Sequence, residues 1–432
     1  MAKMAKMATA GRRFFLIICL VVALGIPAQA AFRPIPIVVQ ISPIANINSI
    51  AAALGAAIID NDGGNTYLLN VGVVPPNFSI LSALLGIQSA ELDTGISIPN
   101  FGVLGLVRIP ATSAPDWYKN QPSWRLIEAD KALAYSTGMG VRVADINSRV
   151  DSSHPALANH LVFVNGYDLV GTRSANYPVP LNQSETGYLE QSETGYLEQS
   201  ETGYLEQTTG LHFPDFLAPL DLLTVNPAYS HGTLCAGVIA AIAPDAKIMP
   251  IHAFDDNGQT DVYTIAKAIR LAADSGAQVI NMSFGTRVNS RAIATAINYA
   301  RSKGIVLVGS AGNDNTTTIQ YPSGYQGVMG IAATTILDRK ASFSNYGSQI
   351  DVDAPGVNII SAYPGGFYSI VSGTSFSAPA VAGTAALVRS LRATGVQNSI
   401  TAGAVNIDSN NPNYANQLGY GRIDVLRAVK PN

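Results

Sequence analysis

Between residues 32 and 109, short apolar runs at 37–41, 50–57, 67–74 and 80–85 alternate with turn residues. Runs of this length and spacing predict strand, helix, strand, strand, helix, strand: a small α+β domain of ferredoxin-like order. Residues 110–121 are rich in Pro, Ser, Asn and Ala, a linker composition, and a larger domain begins near Asp116. Within it, strand-like runs at 141–146, 248–253, 279–282 and 305–308 alternate with helical spacing over 233–242, 262–274 and 291–303. That alternation predicts an α/β fold, a doubly wound, mostly parallel sheet with helices on both faces. Functional groups in such sheets gather at the carboxyl ends of the strands. A further stretch, Ser372-Gly373-Thr374-Ser375-Phe376-Ser377, leads into a segment apolar on every side and predicts a tight turn feeding a buried helix.

The first 30 residues carry Lys3, Lys6, Arg12 and Arg13, an apolar run over 14–26, and Ala28-Gln29-Ala30. This is the pattern of a secretory signal peptide cleaved after Ala30, so a secreted protein is expected, extracellular or periplasmic, with no membrane span in the mature chain. Cys19 would leave with the signal, and Cys235 alone cannot form an internal disulfide. The net charge of −3 includes those four basic residues, so the mature chain carries −7, which argues against nucleic acid as a partner. Three identical copies of Gln-Ser-Glu-Thr-Gly-Tyr-Leu-Glu fill 183–206 and supply six of those seven excess charges. Eight residues is too short a period for a solenoid, so a polar surface insertion is expected.

Ser375, at a helix N-terminus, would sit where free backbone N–H groups and the helix dipole stabilise an oxyanion. It reads equally as an N-cap. His231, in Ser230-His231-Gly232-Thr233-Leu234-Cys235, begins a small-residue helix with glycines that allow close packing behind the ring. Val308-Gly309-Ser310-Ala311-Gly312-Asn313 ends a strand in small residues and an amide, which could donate to an oxyanion or simply make an Asx turn. Ser283, Phe284 and Gly285 end another strand in the same way. Together with Ser310, Ala311 and Gly312 they suggest two edges on which an extended peptide could lie.

These stretches, colinear from about Trp117 to Val429, resemble the catalytic domain of the subtilisin-like serine proteases, the subtilases. The resemblance implies Ser375 as nucleophile, His231 as general base and Asn313 as oxyanion donor, with no cofactor. It implies peptide or protein substrates for a monomeric enzyme. Residues 31–115 then resemble the family's inhibitory prodomain and its linker, and 116–432 the catalytic domain. The segment Gly373-Thr374-Ser375-Phe376-Ser377 lacks the last glycine of the nucleophile elbow, which disfavours an α/β-hydrolase.

The chain departs from the family in one place above all. The stretch Val143-Ala144-Asp145-Ile146-Asn147-Ser148-Arg149 puts Asn147 where the family has the aspartate that orients the histidine, and Arg149 where it has glycine. Asp145, two residues upstream, could serve instead only if the strand slipped by two residues. An uncharged amide cannot stabilise the imidazolium, and its N–H can select the wrong histidine tautomer, which predicts severely reduced activity. Ala156 stands where many members supply a calcium-ligating aspartate, so the usual structural calcium site looks incomplete and no metal ligands are assigned.

Overall fold

The computed structural model describes residues 34–72, 78–108, 114–173 and 227–430. The expected signal peptide and the octapeptide copies at 183–206 lie outside them. The described chain divides into two compact units, one ending at Thr94 and one beginning at Gly95. This division falls well ahead of the linker composition at 110–121.

The small unit runs β1 (Ile35–Ile41), α1 (Ile47–Leu54), β2 (Ala56–Asn61), β3 (Thr66–Val71), α2 (Phe78–Leu85) and β4 (Ile87–Leu92). Its four strands form an antiparallel sheet in the order β2-β3-β1-β4, the ferredoxin-like arrangement expected from the sequence. Asn46 caps α1 by accepting from the Asn48 and Ser49 N–H groups at 2.9 and 3.2 Å. Ile37, Val39, Ile41, Ile50, Leu54, Leu69 and Val71 form its core, so one sheet face and one helix stripe bury each other.

The large unit opens with two strands, β5 (Gly95–Ser97) and β6 (Gly102–Arg108), before its main sheet begins at β7 (Arg142–Asn147). It continues through α3 (His231–Ile242), β8 (Lys247–His252), β9 (Gln259–Asp261), α4 (Val262–Asp274), β10 (Val279–Met282), α5 (Arg291–Ser302) and β11 (Val306–Ser310). The remainder comprises β12 (Val328–Thr334), β13 (Val352–Pro355), β14 (Ile359–Tyr363), β15 (Phe367–Ser372), the long helix α6 (Thr374–Leu391) and short C-terminal helices. Six strands make a wholly parallel sheet in the order β13-β12-β11-β10-β7-β8. Its strands are nearly all buried, as expected for a sheet covered by helices on both faces. Helices α3 and α6 pack on each other, as do α4 and α5.

Caps fix where the helices begin. Asp261 accepts from the Thr264 N–H at 2.6 Å at the start of α4, and Ser290 from the Ile293 N–H at 3.1 Å at the start of α5. Strand β7 lies between β10 and β8, where the strand order reverses. The carboxyl end of β7 therefore opens into the crevice where α/β sheets place their ligands. Among the described residues no helix is long and apolar enough to cross a membrane.

Candidate active site

Asn147 is the last residue of β7, directly at that reversal. The pairing of β7 with β8 is unshifted, Asn147 opposite His252 and Asp145 opposite Pro250. Asp145 has therefore not slipped forward. The residue that meets His231 is Asn147.

His231 is the first residue of α3 and fully buried. Gly232 brings the helix this close to β7, since a Cβ there would stand 2.3 Å from the Ser148 carbonyl oxygen. The Gly232 N–H donates to Ser148 Oγ at 3.0 Å, which ties the helix start to the end of β7. His231 Nδ1 then lies 2.7 Å from Asn147 Oδ1. An amide oxygen only accepts, so Nδ1 carries the proton and Nε2 keeps its lone pair, the form a general base needs. This corrects the expectation that the Asn147 amide would impose the wrong tautomer.

The other end of the same amide explains the orientation. Asn147 Nδ2 donates to both oxygens of the Asp145 carboxylate at 3.3 Å, and the Ser148 N–H donates to Asn147 Oδ1 at 2.9 Å. Asn281 Nδ2 donates to Asp145 Oδ1 at 2.8 Å. Burial pushes the Asp145 carboxyl up to about 7 against these hydrogen bonds, and burial pushes His231 down to about 3. Cys235, one turn along α3, places Sγ 3.7 Å from His231 Nδ1 and donates to the Ser375 carbonyl at 3.4 Å. Burial, and next the charge of Asp145, raise its thiol well above the ordinary range, so it is a packed thiol and not a nucleophile.

Ser375 is the second residue of α6, entirely buried. Its Oγ donates weakly to the Ser283 carbonyl at 3.4 Å, and among the described residues His231 Nε2 has no hydrogen-bond partner. The serine and the histidine share one site without a hydrogen bond between them. Ser283 Oγ in turn donates to the Ser375 carbonyl at 2.9 Å, pinning the start of α6. Phe284 is buried against Phe254, with ring centroids 5.0 Å apart, and Gly285 follows at the site margin.

Asn313 is held by the residue before the serine. Its Oδ1 accepts from the Thr374 N–H at 3.0 Å and from Thr374 Oγ1 at 2.8 Å, which turns Nδ2 towards the cleft. There it donates to the Asn100 carbonyl at 2.8 Å. The neighbouring stretch is occupied internally. The Ala311 N–H donates to Ile331, its carbonyl accepts from Asn345 Nδ2, the Gly312 N–H donates to Thr374 Oγ1, and Ser310 is buried at the end of β11.

The Asn100 carbonyl that meets Asn313 belongs to an extended segment. β5 pairs antiparallel with β9, the Ile98 N–H donates to the Gly258 carbonyl at 2.9 Å, and β6 continues antiparallel to β15. Gly258, at φ +73°, holds a left-handed conformation that favours glycine, and a Cβ there would stand 2.8 Å from that of Ala228. Between the two strands Phe101 packs on His231 and Phe376, with ring centroids 5.0 and 5.4 Å away. The edge that pairs with this segment is β9, which three residues of polar sequence did not reveal. An Asn257-Gly258 turn ahead of it was the available signal.

Two departures prove local. Arg149 is exposed and reaches only Asp256, at 3.6 Å. Ala156 is buried beside Tyr118, Ile360 and Tyr368, and offers a methyl group where a carboxylate was sought. Among the described residues no group of three His, Cys, Asp or Glu side chains is placed to hold a metal ion.

Residues 138–421 match the model of the Subtilase family. Thermitase of Thermoactinomyces vulgaris is 32% identical over 316 residues, 70% of this chain and 94% of thermitase. The thermophilic serine proteinase of Bacillus sp. strain AK1 is 40% identical over 212 residues, 46% of this chain, and the match spans only 52% of that proteinase. Among solved structures, fervidolysin from Fervidobacterium pennivorans, described as a keratinolytic enzyme related to subtilisin, superposes with a TM-score of 0.65 at 23% identity, over 94% of this chain and 62% of its own. With the Ser375, His231 and Asn313 stretches gathered at the end of a doubly wound parallel sheet, the chain belongs to the subtilase family of subtilisin-like serine peptidases.

Proposed function

We propose that the protein is a secreted subtilisin-like serine endopeptidase made as a zymogen. Ser375 Oγ attacks a peptide carbonyl, His231 Nε2 takes its proton and returns it to the leaving amine, and Asn313 Nδ2 stabilises the oxyanion. The observation that carries the reading is the Asn100 carbonyl resting on Asn313 Nδ2, with the preceding residues strand-paired to β9 in the manner of a substrate. Asn100–Phe101 is then the first bond cleaved, and the ferredoxin-like unit is the prodomain that this cut releases. Attack requires Ser375 Oγ to leave its 3.4 Å contact with Ser283 and to form the hydrogen bond to Nε2 that it does not make here. Activity remains below that of a carboxylate triad, because Asn147 puts no charge directly behind the imidazolium.

A second reading, a non-catalytic homologue that binds peptides in the retained cleft, is favoured by Asn147 and by the missing Ser375–His231 hydrogen bond. One comparison separates the two. The full chain, Asn147→Asp and Ser375→Ala are assayed for labelling by an active-serine phosphonate, for casein hydrolysis, and for a new N-terminus at Phe101. The peptidase reading expects labelling and slow self-cleavage that requires Ser375. If the natural sequence neither labels nor cleaves while Asn147→Asp does both, the binding reading replaces it.

A further inference from the structure

We propose that Asp145 is a positioning residue for the general base: through the Asn147 amide it sets the tautomer of His231. The inference rests on the peptidase reading for its meaning, though its geometry does not depend on it. An asparagine at this position is a hazard because its two ends are almost the same shape and opposite in hydrogen bonding. Three neighbours remove the ambiguity. With Nδ2 towards Asp145 and Oδ1 towards Ser148 and His231, the amide donates to a carboxylate and accepts from two N–H groups. Turned over, it would set Nδ2 against the Ser148 N–H whatever the charge of Asp145, and Oδ1 against two carboxylate oxygens whenever Asp145 is ionised, losing these bonds and creating repulsions in a fully buried site.

Asp145 is itself held in place for this purpose. It lies two residues before Asn147 on the same face of β7, and Asn281 Nδ2 of neighbouring β10 donates to Oδ1 at 2.8 Å. The unslipped register matters here, because an aspartate that had moved forward to meet His231 would have replaced the amide and not oriented it. The arrangement is a three-member chain, carboxylate to amide to imidazole, in which the acid acts one residue removed from the ring. It gives a physical use to a buried acid that the reaction itself does not touch.

The test is a double-mutant cycle with an independent spectroscopic readout. Asp145→Leu, an apolar replacement of similar volume, is made in the natural sequence and in Asn147→Asp, where a carboxylate can accept directly from Nδ1. In the natural background kcat/KM on a peptide substrate should fall about 100-fold with KM little changed, short of the roughly 10⁴-fold seen when a triad amide imposes the wrong tautomer outright. In Asn147→Asp the same change should cost less than about threefold. Separately, 15N shifts of the His231 ring are recorded in the full Ser375→Ala chain, with the signal assigned by its loss in His231→Gln. They should show a proton on Nδ1 alone, and Asp145→Leu should add the Nε2–H form. Equal losses in both backgrounds, or an Nε2–H ring in the chain that retains Asp145, would overturn the proposal. Should no variant hydrolyse peptide, Asn147→Asp included, the peptidase reading fails while the ring shifts still decide the role of Asp145.

Discussion

Two asparagines belong to the site, and they present opposite ends. On the α6 side, Thr374 occupies the oxygen of Asn313, so the N–H is left for a carbonyl. On the β7 side, Asp145 occupies the nitrogen of Asn147, so the oxygen is left for His231. The same side chain presents a donor to a main-chain carbonyl in one region and an acceptor to an imidazole in the other. The difference lies wholly in the neighbour. An amide's role is read from the atom that is already engaged, and a residue type in a motif position tells only half of it.

The contrast can be broken most severely on the α6 side. Asn313→Ala removes the donor aimed at the developing charge, and kcat should fall about 10²- to 10³-fold with KM nearly unchanged, measured on a peptide substrate after matched maturation. On the β7 side, Asn147→Asp should raise kcat, by about tenfold or more, since it adds charge behind the imidazolium without altering a tautomer that is already correct. A fall in rate would mean that Asp145 and a second adjacent carboxylate cannot both ionise in this buried strand.

Thr374→Val tests the lock on Asn313, and it also removes the acceptor of the Gly312 N–H. It deletes the hydroxyl but keeps the backbone N–H, so a loss of only about three- to tenfold is expected, the worth of one hydrogen bond. A loss as large as that of Asn313→Ala would show that the hydroxyl by itself orients the amide.

The last test concerns stability. The Asp145 carboxyl stands at about 7 in the fold against 3.8 ordinarily, because burial penalises its charge, and it faces Asn147, Asn281 and the Cys235 thiol with no cation among them. Between those two pH values the folded chain binds a proton that the unfolded chain has released. Stability should therefore decline as pH rises from about 4 to about 7, by on the order of 4 kcal/mol from this group. His231, pushed down to about 3, contributes an opposing rise between about pH 3 and 6.5 and remains in both chains, so the decline is read as a difference: in urea unfolding, the uncut Ser375→Ala chain should lose stability between pH 4 and 7 relative to the same chain carrying Asp145→Leu. An unchanged slope would mean that Asp145 is ionised throughout. Asp353, also buried and raised by burial and next by Asp338, contributes in the same direction and remains in both chains.

Much of the architecture follows from pattern. Strands β7, β8, β10 and β11 and helices α3, α4 and α5 lie where the apolar runs and helical spacing predict them, because a buried parallel strand and an amphipathic helix each write a periodic signature. The ferredoxin-like order of the small unit follows in the same way. Ser375, His231 and Asn313 were legible because glycines and small residues surround each of them. Less was legible where pairing is long-range and short: β5 and β9 are three residues each and are strands only through one another. The passage of 95–108 into the large unit, with the Asn100 carbonyl on Asn313 Nδ2, left no mark in local composition.

The sequence by itself therefore determined the fold class and marked the Ser375, His231 and Asn313 stretches that the fold gathers at one end of the sheet, with an amide at position 147. Which end of that amide meets the histidine was decided only by the tertiary structure. A strand with period 2 puts Asp145 and Asn147 on one face, but the orientation depends on the start of α3 arriving against Ser148, on Asn281 from β10, and on a register that does not slip. Hydrogen-bond direction belongs to the assembled site, because it is set by all the partners at once.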